Sequence, residues 1–253
     1  MTPDPADRPS FTLTAADILY EDSYLIAVAK PAPLLTQAPE VVPSLEAAVK
    51  QYIKEKMNKP AGVYLGIPHR LDRPVSGVVV FARNTKAAQR IHAQFHDRTV
   101  EKVYWAIVEG TIEPQQGTWQ DYMRKITGDA RTVKAEATDE GAKLGVLNYQ
   151  VLKALPEGNS LIELSPQTGR MHQLRVQSAW RGHPVLGDVF YGSGRAFGPD
   201  APNPRDKVIA LHARRLTIAH PATKERLTFE APLPGYWGLD LTADKPEGSK
   251  PLI

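Results

Sequence analysis

The run Val78-Val79-Val80-Phe81-Ala82 stands between Gly77 and Arg83 without a polar side chain. A short β-branched and aromatic stretch of this kind reads as a central, buried strand. Any fold the chain adopts has to be layered around it. Directly upstream come His69-Arg70-Leu71-Asp72 and then Arg73-Pro74-Val75-Ser76. Asp72 therefore sits on a loop that feeds a rigid strand, where the scaffold positions a carboxylate and the loop leaves it reachable. Arg70 and Arg73 flank it within two residues and favour its charged form. The plainer alternative is a surface loop with a solvated ion pair, the common fate of Asp–Arg neighbours.

A chain of 253 residues fits one large domain or two small ones. Hydrophobic residues make up 42% and charged residues 23%, enough for a sizeable core under an ordinary polar surface. Cysteine is absent, which excludes a disulfide framework and thiolate metal ligation. No apolar run approaches a membrane span, and the opening MTPDPADRPS lacks the pattern of a signal peptide. The expected compartment is the cytoplasm. The net charge of +3 is unevenly spread. Residues 1–60 hold six basic and eight acidic side chains, residues 69–104 hold seven and three, and residues 170–183 hold three arginines and no acid. A basic region of this kind suits an anionic partner on one face, for which a polyphosphate backbone is the natural candidate. Charge alone does not reject a merely soluble surface.

Residues 1–14 hold three prolines and read as a loose tail. Ile18–Tyr20 and Tyr24–Ala29 read as strands of a hairpin. Ser44 is a plausible N-cap for an amphipathic helix whose stripe is Leu45, Ala48, Val49, Tyr52 and Ile53. Thr85 is expected to cap a second helix with Ala88, Ile91 and Phe95 inward. Glu101 to Gly110 alternates as a strand, with Lys102, Tyr104, Ala106 and Val108 sharing a face. Residues 111–143 are turn-rich, with strands expected over 118–122 and 132–137. Leu147–Ala154 and Ser160–Leu164 read as a hairpin. Val208–Leu211, Leu216–His220 and Arg226–Glu230 read as strands closing the sheet. The last residues, 237–253, read as a second tail.

A second constellation lies in Ser165 to Gly192, SPQTGRMHQLRVQSAWRGHPVLGDVFYG. Gly169 to Trp180 reads as a helix start followed by a polar helix that carries Arg170, His172 and Arg175 early. A helix N-terminus and an arginine fork both favour anions. Phosphate or carboxylate capture and simple capping with exposed arginines are about equally compatible with that spacing. His92 and His96 share a helix face, but the Ala-Gln-Phe between them lacks the glutamate of a zincin. No P-loop, nucleophile elbow or dinucleotide fingerprint is present, and no metal is expected.

The run HRLDRPVSG with its following strand resembles the active-site motif of the RluA-type pseudouridine synthases, HRLDxxTSG. TGRMHQLRV with GHPVLGDVFYG resembles a further motif of that family. EKVYWAIVEG resembles its tyrosine-bearing strand, and LHARRLTIAHP its closing pattern. The likeness runs from about Ile18 to Pro234. It implies a single mixed α/β domain, of α+β type, with a long and largely antiparallel sheet flanked by helices around a central basic cleft. It further implies isomerisation of uridine in ribosomal or transfer RNA, with Asp72 catalytic, Arg175 paired to it and Tyr104 stacked on the target base. By the same resemblance Leu174 lines the pocket and Arg70 fills the space the flipped base vacates. Arg73, Arg170 and His172 are expected on the RNA-binding face. No cofactor is implied. Val75 replaces the usual threonine, Pro33 the glycine of Lys-Pro-x-Gly, and Gln177 a common histidine. Some relatives carry a separate N-terminal RNA-binding module. About fifteen residues precede the first strand here, so no S4-like module is expected, and residues 15–236 are expected to act alone as a monomeric catalytic domain. Two rivals stand beside this reading: an inactive RNA-binding protein of the same fold, and a nucleoside hydrolase, which would need paired carboxylates.

Overall fold

A computed structural model describes residues 11–39, 41–58, 62–126 and 128–239. The first hairpin joins β1 (Ile18–Glu21) to β2 (Leu25–Lys30). Its turn is made by the Asp22 carboxylate, which accepts from the backbone N–H of Tyr24 at 2.7 Å and of Leu25 at 2.8 Å. Then come α1 (Leu45–Lys56), β3 (Ser76–Ala82), α2 (Thr85–His96) and β4 (Glu101–Glu109). The middle of the chain supplies β5 (Gln116–Lys125), β6 (Thr132–Lys134), β7 (Lys143–Leu155) and β8 (Asn159–Pro166). The short helix α3 (Gln173–Ala179) and strands β9 (Leu211–Ala219) and β10 (Arg226–Glu230) follow. Ser44 caps α1 through the N–H of Ala47. The cap of α2 is Asn84, not Thr85, and its side chain accepts from Ala87 at 2.8 Å. Either oxygen satisfies one orphan N–H, an effect of about 1 kcal/mol.

One ten-stranded sheet runs β1-β2-β3-β9-β4-β8-β7-β5-β6, with β10 also on β9. Every strand pairing is antiparallel except β3 with β9. β3 is buried along its whole length. Its side chains alternate between two cores: Val79 and Phe81 pack with Leu45, Val49 and Ile53 of α1, while Val78 and Val80 pack with Ile91 of α2 and Phe229 of β10. Each such side chain contributes roughly 1.5–3 kcal/mol on leaving water.

Several expectations shift. The strand expected over 216–220 belongs to β9, of the one expected over 208–211 only Leu211 joins it, and β9 lies in the middle of the sheet instead of closing it. The stretch 111–143 contains the long β5, whose Trp119, Asp121 and Met123 face inward. Leu13 and Trp237 are buried in the main core although both fall in the expected tails. The remainder of those tails, 1–10 and 240–253, lies outside the described residues. Among the described residues no helix is long and apolar enough to cross a membrane.

The parallel contact of β3 with β9 is short and tight, pairing Ser76 with His212 and Gly77 with Ala213. Gly77 has φ +122°, and a Cβ there would meet the Ala213 carbonyl oxygen at 2.3 Å. Only glycine lets the two backbones approach so closely. Ser76 Oγ hydrogen-bonds His212 Nδ1 at 2.8 Å, while His212 Nε2 lies 3.2 Å from the Ala231 carbonyl. Burial holds His212 near a pKa of about 4, so the ring is neutral, donates through Nε2 and accepts from Ser76. The Ser-Gly pair thus fastens the end of β3 that emerges from the Asp72 loop.

Candidate active site

The sheet order explains why residues far apart in the chain meet. β9 bridges β3 to β4, and its Ala213 is paired with both Gly77 and Tyr104. β8 lies beyond β4, with Leu164 opposite Tyr104, and leads through Gln167–His172 into α3. The Asp72 loop, Tyr104 and α3 therefore converge at one edge of the central strands. They enclose a cavity of about 160 Å³ lined by Asp72, Val75, Tyr104, Leu174, Arg175 and Leu211, among others. That is well below the roughly 300–1,000 Å³ of pockets for drug-sized ligands, and it suits a single planar ring. The cavity opens on a groove of about 670 Å³ lined by Arg70, Arg98, Lys102, Arg170 and His172. Asp72 is the one acid among the groove's described lining residues.

Asp72 is about one-third exposed and receives Arg175 Nη1 at 3.2 Å. Arg175 is itself buried and is gripped by Asp188 through Nε at 2.6 Å and Nη2 at 2.8 Å. Its guanidinium lies over the Tyr191 ring, 5.0 Å from the centroid. With two donors engaged by a buried carboxylate, the third is fixed in direction. His172 Nε2 approaches the same Asp72 oxygen at 3.6 Å, while its Nδ1 lies 2.8 Å from the Tyr191 hydroxyl. Burial holds His172 below the usual imidazole range, against the pull of Asp72. A ring depressed in this way favours its neutral form, with Nδ1 toward the Tyr191 hydroxyl and Nε2 toward Asp72. His172 has φ +54°, a conformation in which a non-glycine residue stores strain.

The loop before α3 is tied down by Thr168 and Gln173. Gln173 Oε1 accepts from Thr168 Oγ1 at 2.7 Å and from the Arg170 N–H at 3.0 Å. Behind Asp72 lies Lys30, fully buried, its ammonium held by the carbonyls of Leu34 at 2.6 Å, Pro31 at 3.1 Å and Arg73 at 3.3 Å. Burial pushes its pKa down to about 7, partly offset by Asp72. The Asp72 turn is closed by the Val75 N–H on the Asp72 carbonyl at 3.1 Å. Val75 is buried and its side chain forms cavity wall. Tyr104 is half-buried; burial, with Asp72 beside it, pushes its phenol well above the usual range.

Asp72, Tyr104, Arg175, Leu174, Arg70, Arg170 and His172 are brought together. Arg73 is not: it follows Asp72 around the turn, leaves the cavity, and pairs with Asp206 at 2.9 Å. Arg170 and His172 precede α3 and do not sit in its first turn, because the helix begins at Gln173. Arg170 Nε instead donates to the Leu144 carbonyl at 3.1 Å. Gln177 faces away from the cavity and donates to Asp121 at 2.7 Å. Asp188, Lys30 and Lys102 were not assigned roles from sequence. Asp188 lies within the GHPVLGD run, and its spacing from Arg175 carries no signal until the chain folds back.

A fixed anion beside a ring-sized cavity, approached through a cationic groove, suits chemistry on one base of a nucleic acid. A family model described as RNA pseudouridylate synthase matches residues 24–180, and the chain belongs to that family of isomerases. Over 217 residues it is 36% identical to the dual-specificity RNA pseudouridine synthase RluA of Haemophilus influenzae, covering 85% of this chain and 92% of the relative. Over 234 residues it is 33% identical to tRNA pseudouridine synthase C of Vibrio parahaemolyticus, covering 87% and 92%. The solved structure of human RNA pseudouridylate synthase domain containing 4 superposes with a TM-score of 0.71 at 28% identity, covering 87% of this chain and 90% of that one.

Proposed function

We propose that this protein isomerises uridine to pseudouridine in structured ribosomal or transfer RNA, with residues 15–236 as the catalytic unit and Asp72 as the reacting carboxylate. The observation that supports this most directly is the Arg175–Asp72 contact at the mouth of a ring-sized cavity. A uridine inside a helix is out of reach, so the base is flipped out of the stack at a cost of about a few kcal/mol. Arg70, exposed beside the cavity, can stack in the vacated space.

The bond from uracil N1 to ribose C1′ breaks, the base turns in place, and C5 bonds to C1′. The hydrogen on C5 leaves as a proton, and N1 gains one. Asp72 can serve by bonding to the substrate or by stabilising positive charge on the sugar, and in either route it ends unchanged. Arg175 aims the carboxylate through Nη1. Tyr104 lies where a base in the cavity would stack. Its phenol is protonated at neutral pH, so it works as a hydroxyl able to relay the C5 proton rather than as a standing phenolate. The hydrolase reading loses ground here, because Asp188, the other carboxylate nearby, is 1% exposed and engaged by Arg175.

The test is tritium release from structured RNA labelled at uracil C5. Wild type releases tritium without freeing uracil, and Asp72→Asn does not. Free uracil would establish the hydrolase; binding without release by the wild type would establish the inactive RNA-binding protein.

A further inference from the structure

Helix α2 ends in a way its sequence does not favour. Asp97 is the C-cap, and Arg98 follows it with φ +58°. The Thr99 N–H bonds the Gln94 carbonyl at 3.0 Å and the Arg98 N–H bonds the Phe95 carbonyl at 3.4 Å. This is a Schellman termination, whose left-handed position takes glycine first and asparagine second. Arginine stands there instead, at the steric disadvantage of any L side chain with a Cβ.

The Arg98 charge complements the C-terminal end of the α2 dipole, a small effect at an exposed position. Arg98 is exposed, and among the described residues its guanidinium has no hydrogen-bond or ion-pair partner. It borders two hollows at once. One is the basic groove leading to Asp72. The other, of about 410 Å³, continues past Lys102 toward Asn148, Ser165 and Gln167. Arg98, Lys102 and Gln167 are common to both, so the two form one track. The acid on this second hollow, Glu101, is paired with Arg226 at 2.5 Å. Lys102 is partly buried, and burial together with the nearby Arg98 lowers its pKa. Two cations are thus kept together in the free protein. That arrangement is unfavourable alone and becomes favourable when a polyanion lies across it.

We propose that Arg98 is a phosphate-binding residue that carries the substrate RNA beyond the active-site groove, over Lys102 toward Asn148. The proposal rests on the RNA-modifying reading above and adds the path of the strand. A strained backbone holding an unpartnered cation marks a position kept for a ligand, not for stability.

Arg98→Gly separates the two roles. Glycine suits the left-handed position, so the thermal midpoint should hold or rise by roughly a few degrees. Affinity for structured RNA should fall about tenfold at moderate salt, and the slope of log affinity against log salt should shrink by roughly one. Arg98→Lys, which keeps the charge, should recover most of the slope. If Arg98→Gly lowers the midpoint and leaves the salt slope unchanged, Arg98 is a structural residue and the path is wrong. Failure of the wild type to bind any structured RNA would instead remove the parent reading.

Discussion

Arg175 holds Asp188 with two donors, Nε to Oδ2 at 2.6 Å and Nη2 to Oδ1 at 2.8 Å, leaving Nη1 to reach Asp72 at 3.2 Å. The buried Asp188, 1% exposed, is thereby a positioning residue acting through the arginine. Asp188→Asn retains the shape but removes the charge that aims the guanidinium. Removing one member of a buried ion pair costs about 3–5 kcal/mol, and a displaced group near the reacting atoms can lower the rate about a hundredfold. Urea unfolding and single-turnover tritium release on the same preparation should show both losses. A variant that unfolds earlier but turns over normally would confine Asp188 to stability.

Tyr104→Phe keeps the ring and deletes a hydroxyl that is protonated at neutral pH. RNA affinity should be within about twofold of wild type. Turnover should fall by roughly 10² to 10⁴, the range for loss of a proton-transfer group. Gel-shift titration and tritium release on one RNA check the two halves. Full turnover in the phenylalanine variant would leave Tyr104 with stacking alone.

Gly77→Ala places a methyl group 2.3 Å from the Ala213 carbonyl oxygen at φ +122°. Both atoms belong to neighbouring strands of the core, so neither can step aside. Destabilisation should exceed about 4 kcal/mol, visible as loss of the cooperative urea transition. A stable alanine variant would show that β3 and β9 can part without unfolding.

Lys30 has a folded pKa of about 7 against an ordinary value of 10.5. Below pH 7 both states carry the proton, and the folded protein bears the full cost of a buried cation. Between pH 7 and 10.5 the unfolded state binds more protons, so this group's contribution to stability improves as pH rises. Compared with Lys30→Met, wild type should gain ground from pH 7 to pH 9.5 in paired urea titrations. A constant difference would mean that the three carbonyls hold the ammonium charged throughout.

Parts of the fold were legible because local rules and the final environment agreed. Val78 to Ala82 is apolar throughout, and β3 is buried on both faces. Ser44 and the α1 stripe read directly. Other parts misled. Gln173, Arg175, Gln177 and Ser178 look like a polar helix, yet all four are buried. Each finds a partner elsewhere: Thr168 for Gln173, Asp188 for Arg175, Asp121 for Gln177, and the Leu174 carbonyl for Ser178. Arg73, three residues from Arg70 and adjacent to Asp72, read as part of the basic face and pairs with Asp206 instead.

The sequence by itself determined the elements and the chemistry they carry. A β-branched run makes a strand, a Ser-Gly pair permits a close approach, and a recognisable motif singles out one carboxylate. The tertiary structure alone decided the partnerships. It set β9 between β3 and β4, put Asp188 behind Arg175, and turned Arg73 away from the groove. Propensity and patterning act over a few residues, whereas ion pairing and burial depend on which distant strands become neighbours, and only the assembled sheet settles that.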